Sequence, residues 1–386
     1  MKKELIFILM LFVYLPPYIC FANDSKVLDL DEPYELINLA QEKMQKNQWS
    51  EAIKILKNGV AKYPKNNVLR LQLAISLFKN KEFDDSLKQL VRVRSSEKNK
   101  YIISKIDDYI DAIRGANKTS YNIYLSYETD DNTNGVPKKN FGGWKFPPPK
   151  KDNYINYYFS TTNTLPVSDG FGIRFDAALF GKKYRKENKL NQNVSAVKVG
   201  PIYNTTNSVL YVQVGGERYD AKINEDKLLL SAYASSLVGK NKKISFFIES
   251  KFGEGSHKEL LSNLGYLHFF SSWNYAYSSI GFRLEDFGNF TIKKSFLNFH
   301  WGYDWDNGVS TIVGGNVSYQ DGNYRDIFGV EPNAIEIEPD ITLWYRNLSF
   351  LGLTPKLKIS FLDSNSEHPL YDFHKFKYSF FVSKAI

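Results

Sequence analysis

The stretch that decides the fold reads SFLNFHWGYDW over residues 295–305. Large apolar side chains stand at every second position from Leu297 to Trp305, and polar or small residues stand between them. A period of two predicts a strand with one apolar face. Similar segments, separated by Gly, Asn, Asp and Pro turns, repeat from Thr119 to Ile386. Long alternating segments repeated in this way predict a closed barrel whose apolar face meets lipid.

The alternation predicts fourteen antiparallel strands. They fall near residues 119–131, 152–165, 170–184, 190–202, 208–219, 226–238, 242–253, 259–270, 273–286, 294–305, 308–320, 335–347, 353–363 and 371–385. An even count returns Ile386 to the side on which the barrel begins, which is the predicted periplasmic side. Long connections at 131–151 and 321–334 follow odd strands, whereas connections after even strands are short, as outer-membrane barrels require. A soluble multi-stranded β domain explains the alternation but not this asymmetry.

The N-terminus predicts export. Two lysines precede an apolar run at 5–15, and small residues follow up to Ala22. This pattern predicts a secretory signal peptide over residues 1–22, followed by a polar linker over 23–32. A retained membrane helix is less well supported, because the run is short and Pro16 ends it.

Cysteine usage narrows the chemistry. Cys20 is the only cysteine, and it lies in the predicted signal peptide, so the mature chain has neither disulfides nor thiol chemistry. The bulky Tyr18 and Ile19 disfavour Cys20 as a lipidation site. No later segment is long and apolar enough for a membrane helix.

The charge and aromatic content fit a barrel. The net charge is +8, but the basic residues are spread out, so we expect lysines in a wet lumen and in loops and predict no nucleic-acid partner. Aromatic residues make up 16% of the chain, which is high, and barrels place them in girdles at both membrane interfaces.

Residues 33–115 have helical periodicity and repeat after 34 residues. Leu39 recurs as Leu73, and Ala40 recurs as Ala74. A period of 34 with small residues where paired helices touch predicts a tetratricopeptide-repeat domain on the periplasmic side, with a capping helix at 100–114. The predicted fold class is therefore α+β multidomain, with helical repeats followed by a 14-stranded antiparallel transmembrane barrel over residues 119–386.

Repeats of this kind form a superhelix with a concave face. That face predicts a client-binding groove lined by Tyr34, Ile37, Gln41, Met44, Val68, Leu71, Ile75 and Phe78. Alternatively, some of these residues pack against neighbouring helices or against the mouth of the barrel.

The residues indicate no catalytic, metal or cofactor site. The five histidines lack metal-ligand spacing. His300 and Asp304 share one strand face, but no nucleophile stands beside them, which disfavours a hydrolase. Asp131, Asn132 and Asn134 with Pro137 form a polar cluster after the first strand. Such clusters usually make turns, and no carboxylate follows at the spacing of a calcium loop.

Several short motifs then occur in a familiar order. They are DNTNGVP at 131–137, YRD at 324–326, WYRNL at 344–348, GLTPK at 352–356 and SN at 364–365, with a final strand ending VSK at 382–384. Together with the helical repeats, this order resembles the surface lipoprotein assembly modulator (Slam) family. The chain departs from that family in its short repeat domain and in ending at Ile386 rather than at Phe.

The resemblance implies an outer-membrane translocator without enzymatic activity. Its periplasmic repeats would receive a client, either a surface lipoprotein or a secreted host- or haem-interacting protein. Implied partners are outer-membrane lipid and the barrel-assembly machinery. A passive porin or uptake channel with a helical scaffold is the main alternative, although no clear constriction loop with clustered charges is present. A small lipoprotein or secreted barrel encoded next door would favour export.

Overall fold

The computed structural model describes residues 33–138, 140–222, 224–254, 256–325, 327–350 and 353–384. The predicted signal peptide and linker lie outside the described residues, as does Ile386.

Five helices open the described chain. They are α1 (Pro33–Gln45), α2 (Trp49–Lys62), α3 (Asn67–Lys79), α4 (Phe83–Ser96) and α5 (Lys100–Arg114). Consecutive helices pack on each other, and their apolar residues form two core clusters, one shared by α1, α2 and α3 and one by α3, α4 and α5. Asn66 starts α3 by accepting hydrogen bonds from the backbone N–H groups of Val68 and Leu69, which otherwise would lack partners.

The 34-residue spacing is visible in three dimensions. Ala40 and Ala74 are both fully buried, as are Leu56 and Leu90. The turns before α2 and α4 each contain one residue with a positive φ, namely Asn47 at 56° and Lys81 at 64°. Residues 34 positions apart thus occupy equivalent places in two helical hairpins.

Fourteen strands follow the helices. They are β1 (Lys118–Asp130), β2 (Asp152–Ser168), β3 (Phe171–Tyr184), β4 (Gln192–Asn204), β5 (Ser208–Asp220), β6 (Glu225–Val238), β7 (Lys242–Phe252), β8 (Lys258–Ser271), β9 (Asn274–Asp286), β10 (Thr291–Asp304), β11 (Val309–Gly322), β12 (Ala334–Tyr345), β13 (Leu353–Ser366) and β14 (Phe373–Lys384). Each pairs antiparallel with its neighbours, and β1 pairs with β14, so the sheet is a closed barrel. The predicted α+β fold class and strand number are confirmed.

The closing seam pairs fewer residues than its neighbours. β1 pairs with β2 along its whole length, from Lys118 to Asp130, but with β14 only from Tyr124 to Glu128. The end of the seam near Asp130 is therefore held by side chains and by the loop after β1, as described below.

The two faces of the barrel differ as the alternation predicts. Large apolar side chains cover the outer face, among them Leu125, Val197, Leu210, Phe246, Leu297 and Val317. Ion pairs fill much of the lumen, including Lys198–Glu249 (2.9 Å), Lys251–Glu217 (2.7 Å), Lys377–Glu338 (3.0 Å) and Lys375–Asp130 (3.2 Å). Among the residues that the structure describes, no helix is both long and apolar enough to cross a bilayer.

The helices lie at the end of the barrel where the turns after the even-numbered strands are found. Thr205, Gly239 and Asp306, in the turns after β4, β6 and β10, bond to Arg114 of α5, Arg94 of α4 and Lys65 between α2 and α3. We call this end the helical end. The long connection at 131–151 lies at the opposite end, together with the one at 323–333.

A charge placed on the outer face tests the assignment of the two faces. Val317 lies near the middle of β11 and faces outward, whereas the adjacent Asn316 faces a lumen cavity lined by Glu336, Glu338 and Asp340. We expect Val317→Arg to lower the free energy of unfolding by about 2–4 kcal/mol, because it puts a charge in hydrocarbon. Urea titration of protein folded into phospholipid vesicles measures this. Asn316→Arg is the matched control and should cost far less; equal costs would contradict the assignment.

Candidate functional site where the helices meet the barrel

Arginines join the helices to the turns at the helical end. Arg94 in α4 donates from Nη1 to the Gly239 carbonyl oxygen at 2.6 Å. Arg114, the last residue of α5, donates to the Thr205 carbonyl oxygen. In the opposite direction, Arg346 after β12 donates from Nη2 to the Ala61 carbonyl oxygen in α2 at 2.7 Å. Thr205 and Gly239 lie just beyond strand ends and Ala61 lies in the last turn of α2, where carbonyl groups commonly need partners from outside the element.

Asp304 is the centre of this junction. Its side chain is only 5% exposed, and its Oδ2 lies 3.1 Å from Nη1 of Arg92 in α4. Its Oδ1 accepts a hydrogen bond from the Ser310 hydroxyl at 2.7 Å and lies 3.8 Å from Nη1 of Arg346. Arg92 also lies over the ring of Tyr275, 5.4 Å from its centroid. A buried carboxylate is tolerated here because two guanidinium groups and a hydroxyl surround it.

The junction carries an excess of positive charge. Arg70 in α3 is fully buried nearby, donating to the Gln89 side chain at 2.9 Å and to the Pro64 carbonyl oxygen at 2.9 Å. Burial, with the charge of Arg92 adding to it, lowers the pKa of Arg70 to about 9, which leaves it charged at neutral pH. Three arginines thus face one buried carboxylate, so Asp304 is the charge on which the contact depends.

Two further polar contacts join the helical domain to turns of the barrel. The Lys65 ammonium lies 2.7 Å from the Asp306 carboxylate, and both side chains are about half exposed or more, at 49% and 64%. The Ser272 hydroxyl donates to Oδ1 of Asn67 at 2.7 Å, linking the turn after β8 to the start of α3. An exposed pair such as Lys65–Asp306 contributes little to the docking, whereas Ser272 is fully buried.

The residues of the predicted groove occupy different environments. Tyr34, Gln41 and Val68 are exposed, with Tyr34 at 74% and Val68 at 55%. Ile37 is buried in the α1–α3 core, and Met44 packs against that core. Leu71 and Phe78 pack against the α3–α5 core, where Phe78 meets the ring of Tyr109 edge-on at 5.1 Å, and Ile75 is half-buried. The set therefore divides into exposed residues and residues that pack between helices.

The loop after β1, at the opposite end, is held in one shape by its own side chains. The Asn132 side chain accepts from Val136 N and donates to Val136 O, each at 2.8 Å. Asn134 accepts from Lys150 N at 2.7 Å and donates to the Pro148 carbonyl oxygen at 3.1 Å. Pro137 is buried. Asn132 and Asn134 thus act as turn-forming residues, as their composition predicts.

The same loop ties the barrel seam together. Asp131 Oδ2 accepts from Phe376 N of β14 at 3.4 Å. Lys138 donates from Nζ to the Ser364 carbonyl oxygen at 2.8 Å and lies 2.7 Å from Asp363 Oδ1, both in β13. Its backbone N–H also donates to the Asp372 carbonyl oxygen at 2.7 Å. The loop therefore spans from β1 to the last two strands, where backbone pairing across the seam has stopped.

The acid–histidine pair considered from the sequence separates in the structure. His300 Nε2 lies 2.9 Å from Asp340 of β12, whereas Asp304 bonds to Arg92. His300 and Asp304 thus bond to different partners although they share one face of β10. Within the described ranges, no cluster of three or more His, Cys, Asp or Glu side chains could hold a metal ion.

Sequence reasoning missed the junction itself. Asp304 drew attention only as a neighbour of His300, and Arg346 only as part of the WYRNL motif. Arg92 carried no signal at all, because an arginine on a helix is ordinarily a solvated residue. The available signal was Asp304 itself, an aspartate on the lumen face at the end of its strand.

The sequence of this chain is similar to those of several known proteins. A sequence profile described as "Surface lipoprotein assembly modifier" matches residues 120–385. Surface lipoprotein assembly modifier 2 of Haemophilus influenzae is 27% identical over 334 residues, covering 80% of this chain and 68% of that protein. The Surface lipoprotein assembly modifier of Pasteurella multocida is 23% identical over 372 residues, covering 84% and 71%. Surface lipoprotein assembly modifier 1 of Neisseria meningitidis serogroup B is 22% identical over 391 residues, covering 94% and 77%.

The buried pair at the junction should hold the helices much more strongly than the exposed pair. Arg92→Ala leaves the Asp304 carboxylate buried with only Arg346 at a longer distance, and we expect a loss of about 3–5 kcal/mol in helix–barrel docking. Limited proteolysis of the link at 115–117, in increasing urea, measures the docking. Lys65→Ala is the matched control and should leave the docking nearly unchanged, because its pair with Asp306 is exposed. Equal protection in both variants would show that Asp304 does not hold the junction.

The loop after β1 should protect the seam. Lys138→Met removes the charged contacts of a side chain that is only 18% exposed. Loss of these contacts should destabilise the seam by about 1.5–3 kcal/mol. Hydrogen exchange of the Phe376 amide should then be at least about tenfold faster. Lys150→Met removes the more exposed pair with Glu187 and should leave that amide unchanged. Unchanged exchange in both variants would mean that the loop does not brace the seam.

Proposed function

Because the chain belongs to the surface lipoprotein assembly modifier family, we propose that this outer-membrane barrel is a translocator that exports or displays a client protein. The client is a surface lipoprotein or a secreted host- or haem-interacting protein, received on the periplasmic side by the helical domain. The observation that carries the proposal is the docking of that domain, through buried Asp304, onto one mouth of a barrel of this family.

The lumen offers a physical basis for moving a polypeptide. Backbone N–H and C=O groups crossing hydrocarbon without partners would each cost several kcal/mol. The lumen of this barrel carries charged side chains such as Lys198, Glu249 and Lys251, so water and polar groups can meet the client backbone there. A lumen route therefore removes most of that cost.

The helical domain would act as a receptor at the mouth. Tyr34, Gln41 and Val68 remain exposed on the helices, and they are the residues of the predicted groove best placed to touch a client. Binding at the mouth raises the local concentration of client next to the lumen without any further contact. Residues such as Ile37 and Phe78 would support this surface from within the helical cores.

Transport of this kind requires no covalent step, and the family is one of assembly rather than of catalysis. A passive porin is less well supported, because a porin needs a permanently open passage and the helices are docked on one mouth. Insertion of the barrel would use the barrel-assembly machinery, with outer-membrane lipid around the apolar face. The loop at 131–137 would serve by holding β1 against β14 at the surface.

The direct test is co-expression with the client. The protein encoded beside this one is co-expressed with and without it, and surface exposure is followed by protease shaving of intact cells. We expect the client to become protease-sensitive only when this chain is present. Deletion of residues 33–114 should abolish the effect; a client displayed equally well without the helices would refute the receptor role.

Locking the helices onto the barrel should stop transport through the lumen. Asn67 and Ser272 are in direct hydrogen-bond contact, so a disulfide between N67C and S272C would join α3 to the turn after β8. The only native cysteine, Cys20, lies in the predicted signal peptide. Under oxidising conditions, client display should fall several-fold and recover on addition of reductant. The two single-cysteine variants are controls, and full display by the locked protein would exclude passage past the helices.

A further inference from the structure

A cavity of about 560 Å³ lies between helix α4 and the lumen wall at the helical end of the barrel. Its volume falls within the range of small-molecule sites. Leu87 and Val91 of α4 line one side, and Val209, Leu237, Leu267 and Phe269 line the other. All four barrel residues face the lumen, since their strands turn Leu210, Leu230 and Leu264 outward. The cavity thus breaks the rule that the inner wall of a membrane barrel is polar.

Basic side chains also line this cavity, and no acidic side chain does. They are Lys88, Arg92, Arg114, Arg174 and Lys243. Arg92 and Arg174 have carboxylate partners, Asp304 and Asp176, that stand outside the cavity lining. Lys243 is half-buried on β7 and makes no ion pair with any residue that the structure describes. A half-buried ammonium group beside apolar walls is incompletely solvated. An anion that binds next to it would stabilise it through a charge-assisted hydrogen bond.

We propose that this cavity binds a single-chain anionic lipid. The alkyl chain would lie between α4 and the wall formed by β5, β6 and β8, and the anionic head group would meet the basic side chains, Lys243 among them. This binding site goes beyond the proposed transport function and does not depend on it.

The chemistry of the walls favours an alkyl chain over a peptide. A peptide brings N–H and C=O groups that must find partners. The wall strands are already paired with each other along β5 to β9, so their backbone groups are occupied. An alkyl chain asks for no hydrogen bonds and is stabilised simply by leaving water. A small inorganic anion, in turn, would leave the apolar walls unused.

The test uses the full chain in neutral phosphatidylcholine nanodiscs and a photoactivatable palmitate. After illumination, cross-linked peptides are mapped by mass spectrometry. We expect saturable cross-links to the peptides that contain Val91 and Leu267. Lysophosphatidylglycerol should compete at least about tenfold better than lysophosphatidylcholine, since a charge-assisted contact is worth about that factor.

Two variant pairs separate the cavity from the lipid-facing surface. Leu267→Trp narrows the cavity and should reduce cross-linking about tenfold, whereas Leu264→Trp, on the outer face of the same strand, should not. Lys243→Gln should weaken palmitate binding several-fold, whereas Lys242→Gln, on the outer face of β7, should not. The second pair decides the matter if Leu267→Trp fails to fold. Non-saturable cross-links spread over outward-facing residues, or equal competition by both lysolipids, would overturn the proposal.

Discussion

The structure depends on the requirement that every backbone polar group inside a bilayer has a partner within the protein. A sheet meets that requirement only when it closes, and this one closes where β14 pairs with β1. Closure is least complete at this seam, because β1 pairs with β14 over fewer residues than with β2. The loop after β1 takes over where the pairing stops: Asp131 accepts from a β14 amide, and Lys138 reaches β13. The DNTNGVP motif is therefore best understood as part of barrel closure.

Closure also places the side chains of each strand in two environments, lipid outside and the lumen inside. Outward residues meet lipid and are apolar, while inward residues are charged and pair across the lumen, as Lys198 does with Glu249. Pairing neutralises most of the inward charge, which is how a wall so rich in lysine and glutamate remains stable. The exception is the sector beside α4, where apolar and basic side chains line one cavity and no acidic side chain does. The lumen thus has a polar part lined by paired charges and an amphiphilic part lined by apolar and basic side chains.

Of the contacts that join the helical domain to the barrel, the buried ion pair between Arg92 and Asp304 is the central one. Asp304 accepts from Arg92 of the helices and lies close to Arg346 of the barrel, so one carboxylate bridges both parts. A contact built on one buried carboxylate is strong when complete and weak when any member is lost. It also places the WYRNL motif, through Arg346, at the inner rim of the barrel.

Sequence alone determined the barrel, its fourteen strands and the helices before it, because strand and helix periods are local properties of the chain. Predicted strand ends fall within three residues of those observed, as for β10, which begins at Thr291 rather than at 294. Sequence allowed that some residues of the predicted groove pack between helices, but it did not tell that Ile37 and Phe78 do so while Tyr34 and Val68 are exposed, since burial depends on neighbours. The junction was decided only by tertiary structure. Arg92 and Asp304 are 212 residues apart, and no periodicity connects a helix to a strand end. The cavity could not be predicted for the same reason, because its lining residues come from separate helices and strands that meet only after the sheet has closed.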